Sequence, residues 1–186
     1  MSTQLTLPQI LAEAEAIPQD AQSIFGHLNA EQLNWKPSSD QWSVAQCLDH
    51  LMTSNNALFF QAFDQMINGT KRTTFIERLP LLPEFFGWIV FKAMAGKQKY
   101  KAPAKILPSA SALDSQIVGQ FVAHQQKAVE KMRAIEKLNP ASVIITSPFA
   151  SFVTYSVLDA CRIIVAHERR HFAQAERVMA TSGFPQ

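Results

Sequence analysis

Charge is the first thing this sequence has little of. Only 17% of its 186 residues are Asp, Glu, Lys or Arg, and 17 basic against 15 acidic side chains leave a net +2. So small an excess gives no electrostatic reason to bind a phosphate backbone, and no nucleic-acid partner is expected. Cysteine is nearly missing: Cys47 and Cys161 lie far apart, within segments that read as helix. The opening Met1-Ser2-Thr3-Gln4-Leu5 has neither the basic start nor the apolar core of a secretory signal, so a reducing, cytoplasmic location is expected. Long hydrophobic runs are missing too. The longest, Leu79 to Phe91, contains Pro80, Pro83 and Glu84 and falls short of the roughly 18 to 20 residues that cross a bilayer, so no membrane partner is expected.

What is present is a chain 47% hydrophobic and 10% aromatic, the composition of a compact globular protein. A single domain over residues 1–186 is the natural count. At this length a chain hides roughly 70% of the surface its unfolded form exposes, so it needs no disulfide or structural metal to fold. Any metal would therefore serve chemistry.

Four stretches repeat apolar residues at three- and four-residue steps, and none alternates as a half-buried strand does, which makes the class all-α. The first runs from about Leu7 to Leu28, with Pro18 predicting a kink. The second starts at Ser43, where Gln46 completes a capping box and Trp42 takes the staple position, and it continues to about Asn68 with Gly69 as its stop. The third spans about Ala110 to Leu138, and the last about Ser156 to Thr181. Between the second and third, Thr70 to Pro108 reads as an elaborated connection: an aromatic run (Phe85, Phe86, Trp88, Phe91), then Lys92, Lys97, Lys99, Lys101 and Lys105. Its aromatics most simply cover one end of the core while the lysines stay solvated; an interfacial helix touching a membrane or partner is the alternative. Four long amphipathic helices, two joined by an extended crossover, describe a four-helix bundle.

The chemistry concentrates in the last helix. At about 100° per residue, His167 and His171 lie about 40° apart on the face that carries Ala160, Ile164, Ala175 and Val178, so two imidazoles point inward together. Core histidines satisfied by backbone or carboxylate partners are the plain alternative, but two neutral imidazoles side by side favour a shared cation. His167-Glu168-x-x-His171 also satisfies the zinc-peptidase pattern. The glycine and third histidine of its extended form are absent, however: Phe172-Ala173-Gln174-Ala175-Glu176-Arg177 stands there instead. Glu168, about 100° from His167, is equally well a surface carboxylate paired with a nearby arginine. A catalytic zinc-type site needs three protein ligands and an open position, and His50, at the edge of the second helix's apolar face, is the candidate third.

The segment Leu33-Asn34-Trp35-Lys36-Pro37-Ser38-Ser39-Asp40-Gln41-Trp42-Ser43-Val44-Ala45-Gln46-Cys47-Leu48-Asp49-His50-Leu51 resembles the signature of the DinB/YfiT-like superfamily, in which a Pro, a Trp-Ser helix start and a His-Leu follow at this spacing. Ala166-His167-Glu168-Arg169-Arg170-His171-Phe172-Ala173-Gln174 resembles that family's last-helix motif, and the likeness extends over about Leu7 to Thr181. Thr146 to Ser151 is only a loose match to the usual lead-in. The resemblance implies an up-down-down-up four-helix bundle with a long crossover and a divalent ion, commonly zinc or nickel, held by His50, His167 and His171. It also implies candidate chemistries: a transferase using a low-molecular-weight thiol, or a hydrolase, acting on a small-molecule substrate. A homodimer is a further expectation. The rival reading is a non-catalytic metal-binding, regulatory or dimer-forming module. His124, central in the third helix, is a candidate substrate contact beside its plainer reading as a satisfied core histidine, and Gln174 is a candidate hydrogen-bond partner behind the ligands. Cys47, one turn before His50, reads as a small buried residue filling space.

Overall fold

The structure is a computed structural model that describes residues 5–96, 98, 102–109 and 112–186. It is mostly helical. Helix α1 (Leu7–Phe25) opens on the reciprocal capping pair Thr6 and Gln9 and buries Ile10, Leu11, Ala14, Ile17, Ala21 and Phe25 along one stripe. Pro18 sits inside it without ending it. Having no N–H, Pro18 cannot bond the carbonyl of Ala14 one turn back, and the side chain of Gln125 reaches that carbonyl instead, at 3.4 Å. A short helix α2 (Ala30–Asn34), capped by Asn29 and not foreseen from periodicity, lies between α1 and the turn-rich connection.

Helix α3 (Val44–Asn55) starts as the capping box requires: Gln46 N–H donates to Ser43 Oγ at 3.1 Å and Ser43 N–H to Gln46 Oε1 at 3.2 Å. A wide π turn at Asn56–Phe60 leads directly into α4 (Gln61–Ile67), so the expected single helix exists with one loosened turn, and Gly69 stops it at φ +65. The connection that follows holds more order than expected. It contains a fourteen-residue helix α5 (Leu82–Ala95), with Pro83 in its first turn, and a 3-10 turn at Ala104–Ile106. Pro83 therefore starts a helix, since its missing N–H falls where no intrahelical acceptor exists. Lys97, Lys99 and Lys101 of the basic tract, and Ala110 at the expected start of the third helix, lie outside the described residues.

Helix α6 (Ile117–Glu136) begins later than its periodicity suggested, after a turn at 115–116. Two three-residue strands, β1 (Ile144–Thr146) and β2 (Thr154–Ser156), pair antiparallel with Ile145 opposite Tyr155, a correction to the purely helical expectation. They are too short for alternation to register in sequence. Ser156 ends β2 and caps α7 (Val157–Met179), its Oγ accepting from Asp159 N–H at 3.0 Å, so the ribbon fixes where the last helix begins. Helices α1, α3, α6 and α7 share one apolar core, centred on Phe25, Leu48, Phe63, Phe121, Ile164 and Phe172. Helix α5 packs outside it, against α7 and β2. Among the described residues, no helix is long and apolar enough to cross a membrane.

Candidate metal centre

His50 lies on α3, seven residues after the Ser43 cap, and His167 and His171 lie one turn apart on α7. Packing of α3 on α7 brings the three together: their ring centroids are 4.6 to 5.0 Å apart. One ring nitrogen from each falls within 4.8 Å of the other two, and all three residues are buried. The ring of Trp42, expected to staple α3, packs on His50 at 4.8 Å and stacks on His171 at 5.6 Å, closing one side. Trp42 also lines a surface cavity of about 230 Å³ together with Lys36, Asp40, Gln46, Leu107 and Pro108.

The protonation chemistry suits a cation. His50 Nδ1–H donates to the carbonyl of Ile106 at 2.6 Å, which fixes the tautomer and leaves the lone pair on Nε2. That nitrogen faces His167 Nε2 at 3.1 Å. Two nitrogens each bound tetrahedrally to one zinc, at about 2.0–2.1 Å, would stand about 3.3 Å apart, so the observed spacing fits a shared ion with little movement. His171 Nδ1 is buried and has no hydrogen-bond partner among the described residues. Burial holds all three imidazoles below the ordinary histidine range, His171 down to about 3, with neighbouring histidines and Arg170 pushing the α7 pair the same way. They are neutral at physiological pH, the form that ligates metal. Three neutral imidazoles, the unpartnered Nδ1 of His171 and two ring nitrogens 3.1 Å apart, near enough to share either one proton or one ion, fit a divalent cation. Gln174, one turn beyond His171, favours the protonated form of that ring.

The other candidates are placed elsewhere. His124 is half-buried, stacked on Phe60 at 5.0 Å, with Nε2 3.1 Å from Asn56 Oδ1. Cys47 is buried, its thiol pushed up to about 12 by desolvation, and it does not join the cluster. Glu168 corrects the sequence reading most sharply. It is 0% exposed and, among the described residues, pairs with no arginine; Asn55 Nδ2 donates to Oε1 at 3.0 Å and Gln125 Nε2 to Oε2 at 3.1 Å. Burial pushes this carboxyl up to about 8 against the pull of both amides. The arginine beside it, Arg169, instead pairs with Glu13 and Asp20. The one sequence cue was the polar residues Asn55 and Gln125 on otherwise apolar faces of α3 and α6, which need a buried partner.

A mostly helical molecule whose two core helices present three converging histidines has the arrangement that could hold a metal ion between helices. Comparison with known families gives it a place: a DinB superfamily profile matches residues 13–175, and the chain belongs to that superfamily. No curated protein matches it.

Proposed function

We propose that the protein is a metal-dependent enzyme of the four-helix, up-down-down-up DinB type. It would bind zinc or nickel through His50, His167 and His171 and act on a small molecule with a low-molecular-weight thiol as cosubstrate. The observation that carries this reading is the convergence of three buried, neutral imidazoles from α3 and α7. A divalent ion bound there supplies a Lewis acid that makes a thiol or a water molecule more acidic at neutral pH. The carbonyl of Ile106 orients His50, and Trp42 packs between the histidines and a surface cavity that it helps to line. Hydrolysis is the second outcome of the same centre. It is the less favoured because Glu168, the residue a peptidase-like reading would make the base, has both oxygens engaged by buried amides.

The test begins with metal content. Purified protein should carry close to one equivalent of divalent ion. Each of His50→Ala, His167→Ala and His171→Ala should weaken binding by more than the roughly 10–100-fold typical of outer-shell partners, and His124→Ala should not. A wild-type protein that takes up neither zinc nor nickel in calorimetric titration refutes the metal reading. Loaded protein assayed with electrophiles should consume thiol. Turnover without thiol would assign hydrolysis, and no turnover in either assay would leave a metal-binding module.

A further inference from the structure

Helix α5 is rich in Phe, Trp, Ile and Val, yet only Gly87 of its fourteen residues is buried. Gly87 seats the helix. A Cβ there would stand 2.7 Å from Asp159 Oδ2, so the backbone of α5 lies directly on the start of α7. Arg170 holds the other end, taking the carbonyls of Ala93, Gly96 and Gln98. The helix is thus fixed in place, with Val90, Phe91 and Met94 packed against the core and a second apolar face turned outward. Leu81 is 77% exposed, Phe85 56%, Trp88 47% and Ile89 39%. Phe152 continues the patch beyond Phe86, with ring centroids 6.0 Å apart. Contiguous apolar surface of this kind marks an interaction site.

The charges on this face identify the occupant. The exposed positions Leu81, Phe85, Trp88, Lys92 and Ala95 follow one another at steps of four and three, the spacing of a helix-pairing seam, with Glu84 and Ile89 beside it. Glu84 lies four residues before Trp88 and Lys92 four after. If two copies of α5 cross antiparallel with Trp88 at the axis, each Glu84 meets the other copy's Lys92, and the apolar residues between them face their own kind. Within one chain neither charge has an ion-pair partner among the described residues; Lys92 only rests over its own Trp88, Nζ 4.3 Å from the ring centroid. An anionic membrane would instead place Glu84 against like charge. We propose that α5 is a two-fold dimer interface, centred on Trp88, whose partner is a second copy of this chain.

Sedimentation velocity of the full-length chain over a dilution series tests this. Wild type should show a monomer–dimer equilibrium. Trp88→Glu, at an exposed position, should raise the dissociation constant at least about 30-fold, as a central aromatic anchor does, with the far-UV spectrum unchanged. Glu84→Lys and Lys92→Glu should each weaken the dimer at least about fivefold, since each breaks two symmetric pairs, and the double exchange should restore it. A monomer at every concentration overturns the proposal. So does a dimer insensitive to Trp88→Glu, or a double exchange as weak as either single change. A monomer that co-sediments with phosphatidylglycerol vesicles also overturns it and assigns the face to membrane.

Discussion

Glu168 and its two amide partners depend on one another. Removing the carboxylate takes the acceptor from two buried amide donors, Asn55 and Gln125, so Glu168→Ala should cost about 2–4 kcal/mol in urea unfolding. His124 gives the acid response. Burial, helped by Lys127, lowers it to about 4, whereas the unfolded chain protonates near the ordinary value of 6.5. Its contribution is therefore complete above 6.5 and lost as pH falls through about 4. His124→Gln should lose less stability than wild type between about pH 7 and about pH 4.5, compared by urea midpoints. At this scale the sequence was legible where spacing alone decides. His167 and His171 share a face because of the helical repeat, and His50, a candidate from its place on the second helix, was singled out by a resemblance spread over a long motif. Glu168 was not legible: position 168 lies off the histidine stripe, and the amides that draw it inward are 113 and 43 residues away.

Among elements, α5 is held by shape. Gly87→Ala drives a methyl group into Asp159, a residue already bonded to Ser156 and Arg162, so relief must come from moving the helix. We expect a loss of about 1–3 kcal/mol, read as a lower melting temperature, with uptake of the proposed ion unchanged. The same helix shows why elements were harder to read than residues. Pro80 and Pro83 resemble breaks, but Pro83 falls in the first turn, where proline initiates, and of the aromatics expected to cover the core Phe91 packs on it while Phe85 and Trp88 face outward. The capped elements were plain: Ser43 with Gln46 sets the start of α3, and Ser156 stands just before α7. The π turn and the two-strand ribbon are too brief to leave a periodic trace.

For the whole molecule, the helical class followed from apolar periodicity and the meeting of α3 with α7 from the histidine pattern and the family resemblance, whereas the placement of the crossover did not, because it is decided by contacts such as Gly87 on Asp159 that have no sequence pattern. Metal should report on the assembled fold. An ion at about a hundred times its dissociation constant adds about 2.7 kcal/mol, so the loaded protein should melt roughly 5–10 °C above the chelated form in calorimetry, and His171→Ala should abolish the difference. His50 and His167 are separated by 117 residues, and only the finished structure brings them face to face. With the proposed ion in place that stretch becomes a closed ring. Stripped of it, the chain opens more often and is the form a cellular protease cuts first, so the abundance of this protein would rise and fall with the metal supply of the cell that makes it.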